Sequence, residues 1–116
     1  MPTYKGSCHC GAAQSEVDIP NLKQVRVCDC SICTKRGALN IRVNAQDFRL
    51  LSKLEDLTLY QYHTMTAKNY FCPVCGIMPF RCPRTAPDVW TVNARCLDGV
   101  DLEALEIEKI YGSQYP

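Results

Sequence analysis

The chain has 116 residues, 47% of them hydrophobic and 22% charged, and a formal net charge of +1. That is the size of one domain with a modest core, predicted over 1–116, and it excludes disorder and any broad electrostatic attraction to nucleic acid or anionic lipid. Nine cysteines leave three readings: a disulfide scaffold, metal sites or redox chemistry. The stretch "MPTYKGSCHCG" lacks the apolar run of a secretion signal, and no segment approaches a membrane-spanning length, so a reducing cytoplasm and no membrane partner are expected.

In chain order, "YKGSCHCGAAQSEVDI" reads as two short strands joined by a turn around Cys8 and Cys10, punctuated by Gly6 and Gly11. Pro20 and Asn21 break the run. "KQVRVC" alternates as a strand does and delivers Cys28 at its end; "SICTKRG" then makes a short helical turn closed by Gly37. "LNIRV" is a strand with Leu39, Ile41 and Val43 on one face, and "AQDFRLLSKLED" reads as a helical turn or a loop with a strand. "DLTLYQY" alternates again, with Leu57, Leu59 and Gln61 on one face. "YFCPVCG", "MPFRC" and "VWTVNA" add short strands, with Pro73, Pro79, Pro83 and Pro87 at turns or edges. "DLEALEIEKIYG" fits helix or strand. The fold class predicted is mainly β.

Cysteine spacing decides between the three readings. Residues i and i+2 of an extended chain cannot meet disulfide geometry without strain, yet their side chains point the same way and can reach one ion. In "CPVCG" the pair Cys72 and Cys75 spans a tight knuckle whose Gly76 lets backbone amides turn toward the sulfurs, a specific zinc signal. Cys8, Cys10, Cys72 and Cys75 are therefore predicted to form a closed tetrahedral zinc site. Iron on four thiolates is the competing assignment, and visible colour distinguishes it.

"VCDCSIC" presents Cys28, Cys30 and Cys33 within six residues and supplies no fourth ligand. Structural zinc is closed by four protein ligands, whereas catalytic zinc commonly has three and leaves one position to water or substrate. The trio is predicted to hold a second, more loosely bound zinc whose open position takes a substrate thiol. The competing readings are that Cys82 or Cys96 folds back as a fourth ligand, or that the trio is an unmetallated redox cluster. His9, between two predicted ligands, points away from them, and His63 reads as an ordinary polar residue.

At "GSCHCGAAQSEV", "CDCSICTKRGA", "VNAQDFRLL", "YFCPVCGI" and "ARCLDG" the chain resembles the glutathione-dependent formaldehyde-activating enzyme family, in the family's order and over most of its length. The resemblance implies a small zinc-stapled β domain of twisted antiparallel sheets, the β-tent. It implies a structural zinc on Cys8, Cys10, Cys72 and Cys75 and a catalytic one on Cys28, Cys30 and Cys33. It also implies a carbon–sulfur lyase activity, the reversible addition of glutathione to formaldehyde to give S-hydroxymethylglutathione. Asp29 stands where many relatives have histidine.

Glutathione as co-substrate carries two carboxylates and calls for cations near the trio. Lys35 and Arg36, directly after Cys33, are the candidates, with Arg81, Arg84 and Arg95 more remote. Two other functions remain in view: a zinc-stabilised binding or structural module without catalysis, and a thiol redox protein using Cys82 or Cys96. Nucleic-acid binding ranks last, because a near-neutral chain without a basic run has little electrostatic footprint.

Overall fold

The alternation of apolar and polar residues is realised as strands in the computed structural model, which describes residues 2–83 and 89–114. Arg84 and Pro87 lie outside the described residues. The strands are β1 (Thr3–Ser7), β2 (Gln14–Asp18), β3 (Gln24–Cys28), β4 (Asn40–Val43) and β5 (Phe48–Leu50), followed by β6 (Thr58–Tyr60), β7 (Lys68–Phe71), β8 (Phe80–Cys82), β9 (Trp90–Asn93) and β10 (Glu106–Ile110). Among the described residues one helix, α1 (Ser31–Arg36), and several 3-10 turns link them. The fold is mainly β, and no helix among the described residues is long and apolar enough to cross a membrane.

Two sheets form. The smaller has the order β1-β2-β5 and the larger the order β10-β3-β4-β9-β8-β7-β6. Among the described residues the expectation of antiparallel sheets holds for every strand pair but one: β10 runs parallel to β3, Glu106 opposite Gln24 and Ile110 opposite Cys28. "DLEALEIEKIYG", which fits helix or strand by pattern, resolves into a 3-10 turn at Leu102–Ala104 followed by β10. The free edge of β3 decides the matter, because pairing with it satisfies backbone groups that would otherwise lack partners. "AQDFRLLSKLED" contains both of its alternatives, with β5 between two 3-10 turns. The strand expected over "DLTLYQY" is realised only as the exposed edge strand β6.

The faces of the larger sheet have opposite character. Val25, Ile41, Val43, Tyr70, Phe80 and Val92 point into the core. Phe48 of the smaller sheet reaches across to stack on Trp90 (4.5 Å, 16°) and to meet Phe80 edge-on (5.2 Å, 72°). Burial of a side chain such as Phe80 stabilises the fold by about 2–3 kcal/mol, so this aromatic cluster couples the two sheets. Strict alternation sends the intervening residues to the other face. There Arg26 pairs with Asn40, and Arg42, Thr91 and Arg81 stand opposite one another on β4, β9 and β8. That polar face becomes the floor of a pocket.

Candidate metal centres

The first cysteine group is built by two tight turns. Between β1 and β2 the chain reverses through Gly11 at φ 85°, with Cys8 N–H donating to the Ala13 carbonyl. After β7 the knuckle closes through Gly76 at φ 79°, whose N–H donates to the Cys72 carbonyl. A positive φ is free for glycine and costly for other residues, which explains a glycine at each turn. The turns bring Cys8, Cys10, Cys72 and Cys75 together, with Cys10 Sγ at 3.7 Å from Cys8 Sγ and 3.6 Å from Cys72 Sγ. Four sulfurs bound tetrahedrally at about 2.3 Å from one zinc stand about 3.8 Å apart. The four thiols therefore fit that ion in number, softness and spacing.

Backbone amides already face these sulfurs. Ala13 N–H donates to Cys8 Sγ at 3.3 Å. The amides of Cys10 and Ile77 hold the Cys75 thiol down to about 6. The Ala12 amide lowers Cys10, but the thiols of Cys72 and Cys8 outweigh it and raise Cys10 to about 11. One sulfur thus favours its anion while its neighbour resists, a conflict that a bound cation relieves.

The second group sits where β3 runs into α1. Cys28 ends the strand, Cys30 occupies the helix N-cap position, and Cys33 faces inward from the first turn. Their sulfurs lie within 4.8 Å of one another, and among the described residues no further Cys, His, Asp or Glu joins them. Cys82 alternates to the face opposite Arg81, and Cys96 lies in the 3-10 turn after β9 beside a different cavity. Burial pushes the Cys96 thiol up to about 11, with Cys8 and Cys75 adding to the effect, so its thiolate is disfavoured.

Cations approach Cys33 from two sides. Arg81 Nη1 donates to its sulfur at 3.1 Å and Arg36 Nη2 at 3.7 Å. Arg36 also donates to the Met78 thioether. Burial lowers the Arg36 guanidinium from its usual range, and the Coulombic pull of Cys33 opposes that shift. Of the two predicted glutathione contacts, Arg36 thus meets the Cys33 sulfur, while Lys35 is exposed and lines, with Arg36, a separate cavity of about 880 Å³ near Cys8 and Cys96. Arg95 lines that same cavity.

The trio instead opens into a cavity of about 560 Å³ floored by the polar face of the larger sheet. Arg26, Arg42 and Arg81 are its arginines, and Tyr62 and His63 line it from the segment between β6 and β7. His63 has φ 56° and Met65 φ 59°, left-handed values uncommon outside glycine. His63 read as an ordinary polar residue in the sequence; the structure puts it in the same pocket as the trio. His9 lines the other cavity.

The end of β10 completes the wall. Asp29 N–H donates to the Ile110 carbonyl, and the Asp29 carboxylate accepts from Ser113 N (2.9 Å) and Ser113 Oγ (2.8 Å). Those two bonds hold the Asp29 carboxyl below its usual range. Gly112 lies so near the trio that a Cβ there would stand 2.4 Å from Cys28 Sγ. Sequence reasoning missed Gly112, Ser113, Arg26, Arg42 and Thr91. The signal available was a polar residue inside each of "NIRV" and "WTVN".

The chain is similar to known proteins. The family model described as glutathione-dependent formaldehyde-activating enzyme matches residues 3–114. A Halomonas elongata protein whose name assigns it provisionally to these enzymes is 32% identical over 81 residues, 62% of this chain and 51% of its own length. The match thus spans about half of that curated relative. A crystal structure of a Rhodobacter sphaeroides protein, a structural-genomics target, is 40% identical and superposes with a TM-score of 0.79 over 90% of this chain and 99% of that one. Matched by the family model over nearly its whole length, the chain belongs to the glutathione-dependent formaldehyde-activating enzyme family.

Proposed function

We propose that the chain acts as a single-domain enzyme that joins a glutathione thiol to formaldehyde, or cleaves the adduct, at the pocket lined by Cys28, Cys30 and Cys33. The observation that carries this reading is the trio itself: three convergent thiols, no fourth protein ligand among the described residues, and a cavity of about 560 Å³ in front of them. Three soft ligands with one open position suit zinc in a working role. Four on Cys8, Cys10, Cys72 and Cys75 suit a zinc that holds the fold.

Bound by the trio, zinc would supply the Lewis acidity that keeps a substrate thiol ionised at neutral pH. The chain's own residues account for the remainder. Arg81 and Arg36 bring positive charge to Cys33 and compensate the negative charge that thiolate ligands accumulate there. In the addition, the glutathione sulfur forms a bond to the formaldehyde carbon as the C=O π bond breaks, and the oxygen must take a proton. We assign that proton to His63, which lines the pocket, and in the reverse direction it receives it. The Asp29–Ser113 contact keeps the turn of Gly112 against the trio.

The test is exchange between formaldehyde and S-hydroxymethylglutathione followed by NMR, with and without enzyme. Zinc-loaded protein is expected to accelerate exchange, and Cys30→Ala to abolish the acceleration while one zinc per chain remains. Exchange no faster than the spontaneous reaction, in protein carrying two zincs, would overturn the proposal.

A further inference from the structure

Asn69 is fully buried on β7, and its side-chain amide is only half satisfied: Nδ2 donates to the Tyr60 carbonyl of β6 at 3.1 Å, while Oδ1 has no partner. Directly opposite it on β8 stands Arg81, 8% exposed. Arg81 Nη1 donates to Cys33 Sγ at 3.1 Å, and Arg81 Nε is buried without a partner. One residue lacks a donor and the other an acceptor. Native proteins seldom leave such groups unmatched, because each has lost its water without a replacement.

The two deficits lie on the same side of the sheet. β7 runs between β6 and β8, and commitment of Nδ2 to β6 leaves Oδ1 for the β8 side. Opposed residues of an antiparallel pair share a face and keep their Cβ atoms about 4.5–5.5 Å apart, so a change of side-chain torsion is enough to join Oδ1 to Nε–H. Thr91 flanks Arg81 from β9, but a hydroxyl turns its proton to suit its surroundings, whereas an amide oxygen can only accept. Among the described residues, Arg81 Nε is the one buried donor without a partner on a strand next to Asn69.

We infer that Asn69 is a positioning residue for the trio: its Oδ1 accepts from Arg81 Nε–H and so holds the guanidinium with Nη1 on Cys33. A guanidinium is planar and rigid, so an acceptor on Nε sets the direction of its other N–H bonds. Without that acceptor Arg81 keeps its charge and loses its aim. The contacts then run in series from the edge strand inward: Tyr60 carbonyl, Asn69 amide, Arg81 guanidinium, Cys33 sulfur. The same amide anchors the start of the segment that carries Tyr62 and His63, so one side chain steadies two walls of the pocket. This rests on the reading above that the trio holds a metal, and deepens it by naming what orients the cation beside one ligand.

Chelator competition on zinc-loaded protein tests the assignment, read on the zinc that Cys30→Ala removes. Asn69→Leu and the smaller Asn69→Ala delete Oδ1 and are expected to weaken that zinc about tenfold, the low end of what outer partners of a metal ligand contribute, with the other zinc unchanged. Asn69→Asp keeps an acceptor toward Arg81 and gives up the bond to Tyr60. It is expected to melt below the wild type, as the other two variants do, yet to hold the zinc as tightly as the wild type. A purely structural Asn69 would make all three variants alike in zinc affinity. That result, or an unchanged zinc in Asn69→Leu and Asn69→Ala, overturns the assignment alone. A wild-type chain that takes up only one zinc overturns the metal reading of the trio, and the assignment with it.

Discussion

Gly112→Ala is the smallest change that reaches the trio from outside it. The added methyl would stand 2.4 Å from Cys28 Sγ and 3.3 Å from Cys30 Cβ, where ordinary contact is about 3.5 Å or more. Something must move by about 1 Å. If Cys28 yields, its sulfur leaves a position that zinc coordination holds to about 0.2 Å. If the turn yields instead, the two Ser113 bonds to Asp29 stretch and the wall of the pocket opens. Either way the cost falls on the trio and not on Cys8, Cys10, Cys72 and Cys75, which lie in other turns. A perturbation of this kind typically weakens metal binding 10–100-fold, about 1.4–2.7 kcal/mol. Competition against a chromophoric chelator should show one zinc unchanged and the other released at that lower affinity, with circular dichroism preserved. Two zincs held as tightly as in the wild type would refute the placement of Gly112 against Cys28.

Three other outcomes follow from separate features. Thr91→Val removes a buried hydroxyl that has no partner, so it should raise the unfolding free energy by about 1 kcal/mol and the melting temperature by a few degrees; a lower melting temperature would show that the hydroxyl is satisfied. His63→Asn keeps a residue tolerant of the left-handed backbone and deletes the imidazole, so turnover should fall about 100-fold with substrate affinity retained; unchanged turnover would exclude His63 as the proton carrier. Asp18 accepts from both Arg49 Nη1 (2.8 Å) and Arg49 Nη2 (2.9 Å), which holds its carboxyl far below the usual carboxylate range. Because the folded-state value is depressed, the stability it contributes is fully present above about pH 4, the ordinary aspartate value, and is lost as pH falls through the folded value. Asp18→Asn should therefore melt earlier than wild type at neutral pH and converge with it in strong acid; a gap that persists there would assign the difference to something other than ionisation.

The cysteine groups were legible because ligand spacing is local: "CHC", "CPVCG" and "CDCSIC" each state their geometry within a few residues. The strands were legible for the same reason, since alternation in "KQVRVC" or "LNIRV" is a property of the segment. Register is not local. Arg42, Thr91 and Arg81 sit at 42, 91 and 81 in the sequence, and nothing in any one strand says that the three stand in a row. The parallel docking of β10 was hidden by the same limit, because "LEALEIEKI" satisfies helix and strand patterns alike and only the edge of β3 chooses. Gly112 and Ser113 reach Cys28 and Asp29 through that docking, so their roles were out of sight with it. Lys35 illustrates the converse: nearness in sequence to Cys33 put it beside the trio on paper, while its position on α1 turns it toward the other cavity.

The two cysteine groups place different demands on the folding chain. The trio closes a loop of a few residues, so its thiols are near one another even before the sheet exists. Cys10 and Cys72, 62 positions apart, must be brought together across most of the molecule, against a loop-closure entropy that such a separation makes appreciable. A metal ion bound at that group would act as a long-range cross-link between the hairpin of the smaller sheet and the knuckle after β7, and would remove conformations mainly from the unfolded ensemble. Metal availability during synthesis would then govern how much chain reaches the native state, while metal availability afterwards would govern how much of it is active.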